Sequence, residues 1–258
     1  MWHLAKSYLR FLWHSGNQHG LHSPFVFDLV TKCFYNKECR KSYQVLSAHR
    51  EALAKDTREI LVEDLGSGSR VFKSNLRAVN AIAKNAGINS KRAELLNRLV
   101  DYFEAEEVLE IGTSVGLATM ALSVDNQKAK ITTVEGCTKT AMVAAEYFSK
   151  FGMSTITSEV EKFEIFIKNI PISKKYDLIY FDGNHTKEAT ITYFKSLLKT
   201  THNNSVWIFD DIHWSAEMAA AWEFIKSQPE VTVTIDTFQW GFVFFRQEQH
   251  KQHFVIRA

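Results

Sequence analysis

The chain has 258 residues, 45% of them apolar, enough for one large domain or one domain with a modest extension, and 3 Pro with 11 Gly leave no room for a long disordered linker. Its 31 Lys and Arg against 29 Asp and Glu give a net charge of +2, too small a basic excess for a dedicated nucleic-acid binder. Cys33, Cys39 and Cys137 lack C-x-x-C spacing, which argues against a disulfide scaffold or cysteine zinc site and fits a reducing cytoplasm. No apolar run approaches the roughly 18 residues of a membrane span or the core of a secretory signal.

The first third reads as interrupted helices. Leu4, Tyr8, Leu9, Phe11 and Leu12 recur at helical spacing until His14-Ser15-Gly16-Asn17 ends the run. Residues 24–35 predict a second helix with Pro24 in its first turn, 42–56 a third and 71–86 a fourth. Over 91–104 an apolar stripe of Leu95, Leu96, Leu99, Val100 and Phe103 predicts another. From residue 105 the pattern alternates strand and helix, with strands expected at 107–111, 130–135, 154–157, 176–181, 205–210, 231–236 and 241–246. Such alternation builds parallel βαβ units. The last two strands are separated only by Thr237 to Trp240, which demands an antiparallel hairpin. The expectation is an α/β, Rossmann-like, seven-stranded, mostly parallel sheet with an antiparallel last strand and an N-terminal helical extension.

Val108 to Leu117 runs from a strand through glycines into a helix. Gly112 permits a tight turn and lets a ligand approach the backbone, and Gly116 allows the new helix to pack closely. Free N–H groups at the helix start suit an anion. The next strand ends in Glu135, 23 residues after Gly112, where a ribose-binding acid belongs. A second loop, Asp64-Leu65-Gly66-Ser67-Gly68-Ser69, has no following strand that ends in an acid and reads as a turn or cover loop.

Two later strands also end in acids. Asp182 closes the 176–181 strand, and Asp210 and Asp211 close the next, with His213 beyond them as a supporting residue. Ligands of open α/β sheets bind outside the carboxyl ends of strands. Three carboxylates gathered there would raise one another's pKa, which a divalent cation relieves. The alternatives are a helix cap at Asp210 and substrate or cofactor contacts at Asp182.

The run Glu110-x-Gly112-x-x-x-Gly116, with Ser114 where a dinucleotide site carries its middle glycine, resembles motif I of the class I S-adenosylmethionine (SAM)-dependent methyltransferases. Residues 105–215 resemble the catechol-type and macrolide-sugar-type O-methyltransferases. The resemblance implies SAM held by Glu110, Gly112, Thr113, Ser114 and Gly116, its ribose on Glu135, its adenine edge near Glu159 and a further contact from Asp182. It also implies Mg²⁺ on Asp182, Asp210 and Asp211, and proton transfer by His185 or Asp182. Asp211 stands where the catechol enzymes have Asn. Residues 91–258 are then the SAM-binding methyltransferase domain. Residues 1–90 lie outside the resemblance and read either as a helical substrate cover, with His22 or residues 66–68 near the acceptor, or as helices that widen the core or form a dimer face. The expected activity is metal-assisted O-methylation of a small-molecule hydroxyl. An RNA- or protein-directed methyltransferase and a non-catalytic SAM-binding protein are the rivals, although the Asn/Asp-Pro-Pro-aromatic signature of base methylation is missing from Asp182-Gly183-Asn184-His185. A NAD-dependent oxidoreductase fits the glycine spacing less well. The aromatic first helix offers a face for a second copy of the chain.

Overall fold

The computed structural model describes residues 2–63 and 72–258. The expected polar loop at 64–69 lies outside the described residues. The fold is α/β with a mostly parallel eight-stranded sheet, and the chain divides into two compact units, Met1–Lys37 with Pro171–Ala258, and Glu38–Ile170.

The first unit opens with α1 (Trp2–His14), whose Phe11 is buried. In α2 (Pro24–Asp28) Pro24 fills the first turn and Ser23 caps it, its Oγ accepting from the Val26 N–H. A proline at that position loses no helical hydrogen bond. The predicted helix over 24–35 continues, but from Leu29 to Phe34 it widens to a π-helix.

In the second unit, α3 (Lys41–Ala54) is followed by an antiparallel ribbon of β1 (Glu59–Leu61) and β2 (Leu76–Ala78). The helix expected over 71–86 is therefore corrected. Only α4 (Val79–Ala86) is helical, because Leu76 to Ala78 pair with Glu59 to Leu61, a tertiary partner that local periodicity does not reveal. Then α5 (Ser90–Tyr102), capped by Asn89, precedes the alternating region. There β3 (Glu107–Ile111), α6 (Leu117–Ser123), β4 (Lys130–Glu135), α7 (Thr138–Lys150), β5 (Ile156–Val160) and α8 (Phe163–Asn169) follow in turn. β3 pairs in parallel with β4, and β4 with β5.

The first unit resumes with β6 (Leu178–Phe181), α9 (Lys187–Leu197), β7 (Val206–Asp210), α10 (Ala216–Ser227), β8 (Val233–Asp236), β9 (Trp240–Phe244) and β10 (Gln252–Val255), the strands ordered β10-β8-β9-β7-β6. β9 is antiparallel to both β7 and β8, and the three-residue connection Thr237 to Gln239 requires this of the β8–β9 pair. An eighth strand, β10, adds to the seven expected and pairs in parallel with β8. It escaped the pattern because Gln252 and His253 are exposed on an edge strand that carries no continuous apolar run. β6 and β7 are buried on both faces, and Trp207, Trp222 and Trp240 are among the largest fully buried side chains. Cys33, Cys39 and Cys137 are free thiols. Among the described residues no helix is long and apolar enough to cross a membrane.

One buried group couples this core to pH. His49 of α3 is 1% exposed, packs edge-on against Tyr147 and Phe151, and among the described residues finds no hydrogen-bond partner for either ring nitrogen. Burial, helped by the charge of Arg50, pushes its pKa down to about 4. An unfolded histidine takes its proton near 6.5, so stability falls as pH drops from there toward 4, by about 2–3 kcal/mol for this residue. His49→Leu should remove that part of the acid loss in urea unfolding at pH 7 and pH 4.5. An unchanged pH dependence in the variant would assign the acid loss to other groups.

Candidate active site

The glycine loop sits between β3 and α6. Gly112 has φ 105° and Gly116 φ 85°, left-handed values at which a Cβ is strained. The close approach at Gly116 is to another helix: a Cβ there would stand 2.5 Å from the ring of Phe148 in α7. Ser114, in the place of a middle glycine, also takes a positive φ, 50°. Its amide explains the conformation, because the Ser114 N–H donates to Glu135 Oε2 at 2.7 Å.

Glu135 closes β4 and joins the two turns at its end. Its second oxygen accepts from the Cys137 N–H at 2.9 Å. Burial raises its pKa above the ordinary carboxylate value, and the Cys137 and Ser114 amides partly offset that. A carboxylate has about four lone-pair positions, so both oxygens keep acceptor capacity for hydroxyl donors. These acceptor oxygens therefore suit the diol of a ribose.

Glu110 is placed differently. It is fully buried, and its Oε2 accepts from the hydroxyls of Thr119 and Thr133, each at 2.5 Å. Thr113, also buried, bonds Thr133. These residues fix the base of the loop from beneath. Thr119 and Thr133 were not singled out from sequence. The signal was the acid inside the apolar run Val108-Leu109-Glu110-Ile111, since a buried carboxylate requires donors. Glu159 lies within β5 rather than after it, exposed and in register with Val134.

In the first unit, the β6 exit holds Asp182 and His185. His185 Nε2 is 3.6 Å from Asp182 Oδ1, and the Tyr180 hydroxyl donates to Asp182 Oδ2 at 3.4 Å. Asn184 turns the loop with φ 49°, a conformation asparagine tolerates, and Thr186 caps α9. Burial works against a charged imidazole at His185. The carboxylate of Asp182, with those of Asp211 and Asp210, outweighs it and raises the pKa to about 9. His185 and the buried Asp210 line one small recess whose apolar wall includes Phe181 and Phe209, rings stacked at 4.2 Å.

A metal centre at Asp182, Asp210 and Asp211 is not shown. Among the described residues no three His, Cys, Asp or Glu side chains gather as ligands of one ion. Asp210 ends β7, and Asp211 turns out of the strand with φ 54°. Their charge is instead felt by His185. His213 is a supporting residue, its Nε2 2.7 Å from Asp236 Oδ2 and its ring stacked on Phe238.

Of the segment expected as a cover, His22 and α1 can be placed within this unit. Ser23, next to the exposed His22, bonds Gln249, and Phe25 packs on Phe244, which pairs with Val206 at the start of β7. His22 therefore belongs to the end of β7 opposite Asp210. α1 packs at the Asp210 end, where Tyr8 and Phe11 meet Phe238 between β8 and β9. Residues 66–68 lie outside the described residues.

Residues 109–212 match the family model of a methyltransferase domain. No curated protein matches the chain by sequence. Three solved structures share its fold. One is the Podospora anserina methyltransferase PaMTH1 bound to S-adenosylhomocysteine, 15% identical with TM-score 0.61 over 88% of this chain and 97% of that one. Another is the Streptomyces achromogenes O-methyltransferase TomG, involved in tomaymycin synthesis and complexed with SAM, 16% identical with TM-score 0.56 over 84% and 95%. The third is a Bacillus cereus O-methyltransferase in complex with S-adenosylhomocysteine, 16% identical with TM-score 0.54 over 83% and 93%. Over residues 109–212 the chain is thus similar to a methyltransferase domain, and its fold is that of solved methyltransferases bound to SAM or S-adenosylhomocysteine.

Proposed function

We propose that the chain methylates a hydroxyl oxygen of a small molecule with SAM as donor. The observation that carries this reading is Glu135, a carboxylate ending β4 and tied by the Ser114 N–H to the glycine loop after β3. In this reading Glu135 accepts from the ribose hydroxyls, and the positive-φ backbone at Gly112 and Ser114 leaves room for the amino-acid end of SAM. SAM supplies an electrophilic methyl group on a sulfonium.

The residues after β6 supply acid–base chemistry. His185 takes the hydroxyl proton, and Asp182, steadied by Tyr180, holds the resulting imidazolium. A base with a pKa of about 9 matches an acidic hydroxyl such as a phenol near 10. The three solved structures described above include two O-methyltransferases, a further support for oxygen as the acceptor.

The metal assistance that the resemblance implies does not enter this reading, since the three carboxylates do not assemble into an oxygen cage. Turnover should persist after exhaustive chelation with EDTA. Loss of turnover that Mg²⁺ restores would mean that Asp182, Asp210 and Asp211 regroup around a cation. The activity itself is tested with methyl-labelled SAM and a panel of phenols and sugar hydroxyls, with products read by mass spectrometry. Label appearing on RNA, on protein or on nitrogen would overturn the assignment.

A further inference from the structure

The first helix carries a second chemical signal that methyl transfer does not use. One face of α1 is fixed to its own unit. Phe11 is buried, Tyr8 and Phe11 pack on Phe238, and the Arg257 guanidinium donates to the Leu12 carbonyl and the Ser15 hydroxyl. The opposite face is open. Leu9 is 68% exposed and Trp13 87% exposed, one turn apart, with Ala5 a turn before them. Beside that stripe, one residue further round, run the exposed Lys6 and Arg10.

The charge along this segment is one-sided. The chain has 29 acidic residues, yet none precedes Asp28, while Lys6, Arg10 and four histidines fall in that stretch. The exposed Arg257 adds a further cation at the end of the helix. Large apolar side chains flanked by bases on a helix that lies along the protein surface are the pattern of a segment resting in a lipid interface. Tryptophan and leucine enter the headgroup–acyl boundary there, and Lys and Arg pair with anionic headgroups. Bases beside a Leu–Trp stripe, with no acid before Asp28, complement an apolar surface edged with anionic groups.

We propose that the exposed face of α1 docks the protein on a bilayer surface bearing anionic phospholipids. The attachment is peripheral and electrostatic in reach, so it weakens as salt shortens the screening length. It does not depend on the methyl-transfer reading, and its test needs no acceptor.

The test is co-sedimentation of the full chain with vesicles of phosphatidylcholine alone or mixed with phosphatidylserine. The expected result is pelleting with the mixed vesicles only, reversed by high salt. The charge reversals Lys6→Glu with Arg10→Glu, and separately Leu9→Ser with Trp13→Ser, should each reduce partitioning by about tenfold or more. All four positions are exposed, and circular dichroism checks that each pair of changes leaves the fold intact. Absence of pelleting with the mixed vesicles, or partitioning equal for wild type and both variants, would overturn the proposal. So would a dimer in sedimentation velocity that both variants dissociate without vesicle binding, since a second copy would then cover this face.

Discussion

Glu135→Ala is expected to weaken SAM binding 10- to 100-fold by calorimetry. Two ribose hydroxyls donating to a carboxylate make charge-assisted bonds, worth roughly 1.5–3 kcal/mol once the desolvation of a partly buried acid is counted. That range converts to one to two decades in Kd. The substitution also releases the Ser114 and Cys137 amides, so the loop loses its tie to the end of β4. Glu135→Gln separates these effects, because an amide keeps the volume but turns one acceptor into a donor that faces a backbone N–H. A folded Ala variant with unchanged affinity would remove Glu135 from the cofactor site. The same carboxylate makes binding pH-dependent. Its pKa is raised by burial, so SAM affinity should fall on acidification at a pH above the ordinary carboxylate value.

His185→Ala is expected to lower kcat by about 10²- to 10⁴-fold, the usual contribution of a positioned general base. The pH profile distinguishes this from loss of packing. In the folded protein the imidazole holds its proton up to about pH 9, so the base form appears, and the rate rises, as pH climbs through that value. The variant should lose that rise. Asp182→Asn removes the charge beside the ring and lets burial dominate, so the rise should move to lower pH. Carbon-13 NMR of the imidazole reads the same shift without an acceptor. A wild-type rate that is flat from pH 6 to 9, or an Asp182→Asn profile displaced upward, would contradict the role given to His185.

Much of this architecture was legible because periodicity reports burial. The strands β3, β4, β6 and β7 are short apolar runs closed by acids or glycines, and their bounds differ from expectation by two residues at most. The glycine spacing and the acid 23 residues on marked the loop and Glu135. What escaped needed a partner distant in sequence. β2 exists through β1, and β10 through β8, and neither carries a pattern of its own. The acids meet the same limit, since residue order alone does not decide whether they hold a metal. Chain position brings Asp182, Asp210 and Asp211 to strand ends, but a metal cage depends on where the carboxylates point, and the left-handed turn at Asp211 is invisible in a residue string. Glu110 was readable as part of a motif, whereas its bonds to Thr119 and Thr133 show a carboxylate engaged in holding the loop.

The most direct test of the central claim is a crystal structure with S-adenosylhomocysteine. The account predicts ribose hydroxyls on the carboxylate of Glu135 and the amino-acid end of the ligand against the backbone of Gly112 to Ser114. Density for the ligand elsewhere, with Glu135 still bonded only to the Ser114 and Cys137 amides, would contradict it.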